Sequence, residues 1–213
     1  MTDTIENYEL PVSALAAAIK CAAVKDPVRF YLNGVYLDFP RGRIVATDGT
    51  QMFCGRIERA DCRAVIVDRE TVSDALKAAK STRGLPMFYV NVTADPNGGN
   101  TRRVELVTAG AKLGSAEIDG QYPEYERVIP RKTSGKVSQF DPRRVLKCGE
   151  ALAIYSGGDP KMCFPHIAHN GDKGAIVTGS SDTAFCVLLP VRAAAAQSIA
   201  WLDEIPTAGR VTE

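Results

Sequence analysis

The chain has 213 residues, with 26 lysines and arginines against 25 aspartates and glutamates and a formal net charge of +1. This length is sufficient for one large domain or two small domains, and the balanced charge gives no sign of a generally basic nucleic-acid binder. No apolar run approaches the roughly 20 residues of a membrane span, and the N-terminal MTDTIENYEL lacks the basic and apolar regions of a secretion signal. These features predict a soluble, cytoplasmic protein.

A strand-then-helix unit occurs three times along the chain. The three segments are YELPVSALAAAIKCAAVKD at 8–26, RAVIVDRETVSDALKAAKS at 63–81 and GKVSQFDPRRVLKCGEALAI at 135–154. Each begins with a short apolar strand and ends in an amphipathic helix. Short β-rich runs separated by turn clusters such as DPNGGN and NGDKG follow each helix, which is typical of hairpins. The predicted fold class is α+β, with repeated strand–helix–antiparallel strand units.

The stretch IVATDGTQMF at 44–53 predicts a tight hairpin. Asp48 can bond its own backbone, and Gly49 tolerates a positive φ, so this pair favours a turn between two apolar strands. A second strand pair, GAIVTGSSDTAFCVLLPV at 174–191, is similar to GRIVATDGTQMFCGRI at 42–57. The two runs therefore predict the same hairpin in two places.

Helical projection places basic residues opposite the apolar face of each helix. Lys20, Lys77, Lys80, Arg143 and Lys147 oppose the apolar positions, and few acidic residues accompany them. For any one helix an ordinary solvated face is the simpler interpretation. Three helices of the same polarity, with the sheets as an outer layer and the helices as an inner one, would bring these charges onto one surface.

Neither a metal site nor a catalytic site is predicted. The six cysteines include no C-x-x-C pair, which favours buried, reduced thiols. His166 and His169 lie three residues apart, but the flanking Pro165 and Gly171 indicate strand and turn, which sends the two rings to opposite faces. The chain carries no G-x-S-x-G, G-x-x-x-x-G-K-[ST] or H-E-x-x-H motif and no convincing carboxylate pair. We therefore predict no cofactor and no enzymatic activity.

Three segments in order resemble one known family. They are RFYLNGVYLDF at 29–39, IVATDGTQMF at 44–53 and the linker IDGQYPEYERVIP at 118–130. Together they are similar to the middle domain of the bacterial DNA polymerase III beta subunit, the sliding clamp. The resemblance is good over 8–130 and weaker beyond 131, where CVLLPVR resembles the segment that ends family members. Because family chains carry three domains, a full domain at 1–130 and a shortened one at 131–213 suggest a phage or prophage version.

The resemblance implies a groove that accepts a short linear peptide from polymerases and other replication factors. Its residues here would be Leu32, Thr47, Gly49, Met52, Pro123, Arg127 and Val128, and the C-terminal segment would add Leu188, Pro190, Val191 and Arg192. The family's His-Arg in the hairpin is replaced by Thr50-Gln51, which removes a charged edge and changes the expected peptide preference.

The resemblance also implies a ring around duplex DNA that contacts phosphates without reading bases. The predicted DNA-binding residues are Lys20, Lys25, Arg29, Lys77, Lys80, Arg83, Arg143, Arg144 and Lys147. Family rings contain twelve strand–helix units, so four units per chain would give a trimer, which we favour, and three would give a tetramer. A clamp loader is a possible further partner. The alternative hypotheses are a monomeric clamp mimic that sequesters replication proteins and a generic α+β binding domain.

Overall fold

The computed structural model describes residues 2–81, 87–95, 99, 101–108 and 111–191, without the side chains of Lys80 and Ser81. Eleven strands lie in these ranges: β1 Ile5–Pro11, β2 Gly34–Asp38, β3 Arg43–Thr47, β4 Gln51–Arg56, β5 Val65–Asp68, β6 Met87–Thr93, β7 Arg103–Thr108, β8 Ala111–Ala116, β9 His166–Ala168, β10 Ala175–Thr178 and β11 Ala184–Leu188. Three α-helices lie there too: α1 Val12–Ala18, α2 Arg69–Ser81 and α3 Pro142–Tyr155. Among the described residues no helix is long and apolar enough to cross a membrane.

Aspartates start two of the helices. The Asp68 carboxylate accepts hydrogen bonds from the backbone N–H groups of Glu70 (2.8 Å) and Thr71 (3.1 Å). At the start of α3 the Asp141 carboxylate accepts one from the N–H of Arg143 (2.9 Å), and Pro142 occupies the first helical position. Both contacts satisfy N–H groups that have no partner within the helix. The helices therefore begin where the sequence repeats predict them.

The strands form two antiparallel sheets. The first has the order β1-β6-β7-β8 and the second the order β5-β2-β3-β4-β11-β10-β9. β1, the first strand of the first unit, pairs with β6 of the second unit. β5, the first strand of the second unit, pairs with β2 of the first unit. This exchange ties the first two units into one body.

The third unit joins this body through its last strand. β4 and β11, each the last strand of its hairpin, pair antiparallel over five residue pairs, from Gln51 with Leu188 to Ala184 with Gly55. On the same side α1 packs against α3, and Lys20 Nζ lies 2.8 Å from Glu150 Oε2. We call this β4–β11 pairing the seam. The predicted domain boundary at 130/131 lies in the connection that precedes α3. The hydrogen bonds of the seam join residues on its two sides.

Side chains alternate between the two faces of the seven-stranded sheet. Leu37, Ile44 and Phe53 belong to the larger core beneath the helices. Val45, Met52 and Val187 belong to a smaller core on the opposite face, where Tyr122 and Tyr125 cover them. Alternate positions of a strand face opposite sides, so one sheet supports both cores. Anything bound on the outer face is thus separated from the helices by a single sheet.

A buried ion pair closes the first sheet. The Arg102 guanidinium donates to both carboxylate oxygens of Glu117, at 2.9 and 2.6 Å, and its side chain is 5% exposed against 11% for Glu117. The guanidinium also donates to the carbonyls of Arg63 (2.9 Å) and Ala64 (2.6 Å). These bonds connect the strand before α2 to the β7–β8 hairpin. Every donor in this group has a carboxylate or carbonyl partner, as buried charges require.

Two local predictions were wrong. Residues Phe30–Leu32, expected at the start of a strand, form a 3-10 turn, and β2 begins only at Gly34. The third unit has no strand before its helix. The segment there instead bonds through Gly135 N–H to the His169 carbonyl and receives a bond at the Gln139 carbonyl from Val191 N–H. Isolated apolar residues such as Val137, which is exposed, do not suffice for a strand.

Candidate functional site

The Asp48–Thr50 turn forms the tip of the β3–β4 hairpin. One Asp48 carboxylate oxygen accepts from the N–H groups of Thr50 (2.8 Å) and Gln51 (3.0 Å). Gly49 has φ 87°, a conformation that costs other residues about 1–2 kcal/mol. The tip is therefore held by the side chain and the glycine that the sequence indicated.

A cleft of about 200 Å³ lies on the outer face of the sheet beside this tip. Its floor includes Met52 of β4 and Val187 of β11, which are partners across the seam. The connection at 119–130 forms a wall, held down by Tyr122, which stacks on Tyr36 with ring centroids 4.4 Å apart. The full lining is Arg29, Tyr31, Leu32, Thr47, Gly49, Thr50, Gln51, Met52, Pro123, Glu124, Tyr125, Val128, Val187 and Leu189.

A buried hydrogen bond fixes the wall. The Tyr125 hydroxyl donates to Asp38 Oδ2 at 2.7 Å, and Arg43 pairs with the neighbouring Glu126. Burial, together with this bond to Asp38, raises the pKa of Tyr125 above its ordinary value. The phenol therefore stays protonated and keeps donating across the neutral pH range. The wall is anchored to the ends of β2 and β3 rather than left as a loose loop.

Six of the seven groove residues predicted within 32–128 line this one cleft. They are Leu32, Thr47, Gly49, Met52, Pro123 and Val128. The seventh, Arg127, is exposed and faces a neighbouring depression behind the wall, with Pro123 and Tyr36. Its guanidinium pairs with Glu124, a residue of the cleft.

The predicted groove residues Leu188, Pro190 and Val191 do not line the cleft. Leu188 is fully buried beneath the helices, and the cleft instead receives its neighbours Val187 and Leu189. The prediction was off by one residue, which in a strand exchanges the two faces. Pro190 and Val191 follow β11 outside the cleft lining, and Arg192 lies outside the described residues. AFCVLL is apolar throughout and carries no such signal by itself, so the pairing of Val187 with Met52 decides the face.

The remaining cleft residues were missed because they come from turns and buried polar positions. Tyr31 and Arg29 belong to the 3-10 turn region, which resembled a strand in sequence. Gln51 is buried, and its Nε2 donates to Asp48 Oδ2 at 3.2 Å. Its Oε1 has no hydrogen-bond partner within the described part of the chain. The cleft is thus largely apolar, with an arginine and a glutamate at its rim.

The cations on and beside the helices are partly neutralised by carboxylates, and Lys20, predicted on a helix face, lies just after the end of α1 at Ala18. Among the predicted DNA-binding residues, three helix-side cations lie in ion pairs: Lys20 with Glu150 at 2.8 Å, Lys77 with Asp74 at 2.8 Å and Arg143 with Asp141 at 3.1 Å. Within the described ranges Lys25, Arg144 and Lys147 carry no such partner. The Lys80 side chain and Arg83 lie outside the described residues. The helix faces are basic but less so than their lysines and arginines alone suggest.

Arg29 does not belong to the helix-side group. Its guanidinium pairs with Asp26 at 2.8 Å and donates to the Asp48 carbonyl at 3.3 Å, which places it at the rim of the cleft. The placement of Arg29 on the helix-side surface was therefore wrong, because the chain after α1 turns back toward the β3–β4 tip. Its charge is available to a ligand in the cleft rather than to one at the helices.

Comparison with known proteins places this arrangement in context. The beta sliding clamp of Pseudomonas putida is 28% identical over 141 residues, which are 63% of this chain and 36% of the relative. The clamp of Vibrio cholerae is 30% identical over 152 residues, or 68% and 38%. The DNA polymerase III beta subunit of Thermotoga maritima matches in structure with a TM-score of 0.61 at 19% identity, over 90% of this chain and 66% of that chain. No family model matches.

The chain is a sequence relative of the bacterial beta sliding clamps and has their fold. It spans a little over a third of the length of the curated clamps it matches. The repeated units, the exchanged strands β1 and β5 and the seam therefore occur within a clamp fold.

Gly49 offers a test of the clamp hairpin. Replacing Gly49 by alanine should lower the melting temperature and weaken any ligand of the cleft, because a Cβ there would lie 2.3 Å from Arg29 Nη1. Gly135 is the matched control, since it has φ 72° but nothing within 4 Å of the point that an added Cβ would occupy. Both alanine variants carry the φ cost of about 1–2 kcal/mol, measured by thermal unfolding. Only Gly49→Ala should also displace Arg29, and equal ligand affinities of the two variants would contradict this.

Proposed function

We propose that this chain is a DNA sliding clamp, a ring-shaped processivity factor that tethers a replicative polymerase to duplex DNA. The observation that carries the proposal is the cleft on the seam, lined by six residues that the clamp resemblance had named from sequence. Its support from relatives is the similarity to proteins named as beta sliding clamps. Such a protein acts by holding rather than by chemistry, so the proposal includes no catalytic residue. It places the protein in the cytoplasm, where replication takes place.

The cleft would receive a short apolar peptide segment of a polymerase or another replication protein. An apolar lining suits aliphatic or aromatic side chains, and the rim offers Arg29 to an acidic group and Glu124 to a basic one. The replacement of the family's His-Arg by Thr50-Gln51 leaves Arg29 as the cation at the tip. We therefore propose that the preferred peptide carries an acidic residue beside its apolar anchors.

Val128→Asp should weaken polymerase binding at least tenfold. Val128 lines the cleft and is half exposed, so a carboxylate there leaves the core intact but must lose water when an apolar peptide docks, which costs more than the roughly 1–3 kcal/mol of a neutral polar group. Binding can be measured by surface plasmon resonance on immobilised catalytic subunit of Pseudomonas putida DNA polymerase III. The P. putida clamp serves as the positive control.

Val137→Asp is the matched variant for this measurement. Val137 is 78% exposed and lies outside the cleft, so the same change of side chain should leave affinity within twofold of wild type. Equal losses in both variants would show that the cleft is not the docking site. A wild-type chain that fails to bind where the P. putida clamp binds would count against this polymerase as a partner.

The helices would face the DNA. Lys147, Arg144 and Lys77 lie on helices that share one side of the sheets, and their charges attract phosphates irrespective of base sequence. The partial neutralisation by Glu150, Asp74 and Asp141 suits a protein that must slide. A weaker net field holds DNA loosely while ring closure, rather than grip, prevents escape.

The outer edge of β8 would close the ring. β8 is the last strand of the second unit, as β4 and β11 are of the first and third, and its outer side has no strand partner among the described residues. Unpaired strand edges are ready templates for pairing with another chain. A ring of three or four chains needs a head-to-tail contact, in which β8 meets a different edge of the next chain, such as the outer edge of β9. We favour a trimer, with a tetramer as the second possibility.

Mass measurement in solution, followed by negative-stain imaging, tests the assembly. A ring predicts a species of three, or four, times the 22.9 kDa chain at micromolar concentration and particles with a central hole of duplex width. A stable 22.9 kDa species that still binds the polymerase would instead support the monomeric clamp mimic. A monomer that binds neither DNA nor polymerase would overturn both.

A further inference from the structure

Three buried cysteines from distant parts of the chain meet under the seam. Cys21 follows α1, Cys148 lies in the middle of α3, and Cys186 lies on β11. Their Sγ atoms all lie within 4.8 Å of one another, and each residue is buried. The remaining cysteines, Cys54, Cys62 and Cys163, do not join this group. We call Cys21, Cys148 and Cys186 the thiol triad.

We propose that the thiol triad binds a soft metal ion, with three-coordinate Cu(I) as the best fit. Thiolates select soft ions such as Cu(I) and Zn(II) over hard ones. Three sulfurs that each lie about 2.3 Å from one ion in a plane are about 4 Å from each other, so sulfurs already within 4.8 Å need only small inward shifts. This inference does not depend on the proposed clamp function.

The number of donors distinguishes the candidate ions. Zn(II) in structural sites almost always takes four ligands. Among the described residues no further cysteine, histidine, aspartate or glutamate offers a ligand atom within the same group. The triad is also closed to solvent, which leaves no open position for water. A three-coordinate ion therefore suits the site better than a tetrahedral one.

Positive charge beside the triad suits bound thiolates. Arg69 is half buried, and its guanidinium donates to the carbonyls of Ile19 (2.8 Å) and Ala22 (3.2 Å), on either side of Cys21. In the described part of the chain it has no carboxylate partner. Lys147 adjoins Cys148 along the chain, whereas Lys20, next to Cys21, is already paired with Glu150. A half-buried cation without a counter-ion is costly, and an anionic metal–thiolate group nearby would offset this cost.

The position of the triad defines what a bound ion would do. It would link α1 of the first unit to α3 and β11 of the third, beneath the strands that form the seam. Cys186 and Val187 are adjacent on β11 and face opposite sides, so the ion would lie directly behind the floor of the cleft. Binding would stabilise the junction between the units, because it exists only when all three elements are in place.

Anaerobic titration of the reduced full-length protein with Cu(I), in competition with a chromogenic Cu(I) chelator, tests the inference. One equivalent should bind per chain, with a thiolate-to-metal charge-transfer band and a higher melting temperature than the metal-free protein. Zn(II) is titrated in parallel and should bind more weakly. Tighter binding of Zn(II) than of Cu(I) would overturn the three-coordinate assignment.

Alanine variants assign the site. Cys186→Ala should lower Cu(I) affinity at least a hundredfold, whereas Cys54→Ala, an equally buried cysteine on the adjacent strand β4, should leave it unchanged. If Cys186→Ala does not fold, alkylation mapping of the wild type gives the same answer. Cu(I) should then slow the modification of Cys21, Cys148 and Cys186 during brief unfolding, but not that of Cys62. Equal protection of all cysteines, or loss of binding in Cys163→Ala alone, would show that the triad consists of ordinary core thiols.

Discussion

Reversing the charges of Lys77, Arg143 and Lys147 to glutamate together should weaken duplex DNA binding about a hundredfold at low salt. Each phosphate contact contributes about 0.9 to the slope of log affinity against log salt, so the slope should fall by about three. All three residues are exposed, and their ion pairs, where present, are surface pairs that contribute little to stability. Fluorescence anisotropy of a labelled duplex of arbitrary sequence, at several salt concentrations, measures both quantities.

The control changes the same charge elsewhere. Lys132→Glu, Lys136→Glu and Lys173→Glu together alter exposed lysines of the connecting segments. Each reversal changes the net charge by two, so both triple variants move from +1 to −5. If DNA contacts are confined to the helix faces, the control should keep the wild-type salt slope and lose only a small part of its affinity. Equal losses in the two variants would assign DNA binding to overall charge and contradict a helix-lined passage.

Arg102→Met should lower the free energy of unfolding by about 3–5 kcal/mol, since removing one partner leaves the other as an uncompensated buried charge. Glu117 would lose its two hydrogen bonds from the guanidinium but keep the one from the Arg102 backbone N–H, and the carbonyls of Arg63 and Ala64 would lose theirs. Chemical denaturation at neutral pH measures the change. Arg103→Met, at the neighbouring exposed position, is the matched control and should cost less than about 1 kcal/mol.

Acid provides a second measurement for the same pair. Burial raises the pKa of Glu117, but the hydrogen bonds from Arg102 outweigh it, and the pKa lies below its ordinary value. The pair's contribution is therefore present above the unfolded pKa of about 4.3 and is lost as pH falls through the lower folded value. Without Arg102 the buried Glu117 carboxyl prefers to be protonated. The difference in the free energy of unfolding between wild type and Arg102→Met should therefore become smaller as the pH falls. A difference in the free energy of unfolding that does not change with pH would show that the unpaired Glu117 is not what destabilises Arg102→Met.

Local patterns were sufficient to predict the parts of the fold that depend on near neighbours. The Asp48-Gly49 turn and the apolar face of α2 each depend on residues a few positions apart. Six cleft residues followed from resemblance rather than from physical pattern. The strand that was expected at Phe30 failed because β-prone residues also occur in 3-10 turns, where tertiary packing overrides propensity.

Contacts between distant residues were beyond such patterns. Cys21 and Cys148 are separated by much of the chain, and neither neighbourhood indicates a ligand site. The Lys20–Glu150 pair likewise joins different units, and it turns a predicted free cation into a paired one. The error at Leu188 had a different origin, because the uniformly apolar end of β11 gives no marker for which face each residue takes. Pairing with β4 decides the face, and pairing is not visible in one strand.

The seam has a mechanical consequence. Five consecutive residue pairs join β4 to β11, and the hydrogen bonds of an antiparallel ladder run across the strands. Tension applied along the strands is shared by all of these bonds, so they must rupture together. Tension that lifts the hairpin tip away from the sheet would break them one after another, starting where Gln51 meets Leu188. A pull along the strands on a ligand bound beside Met52 and Val187 would therefore leave the seam intact at forces that open it when the pull lifts the hairpin tip.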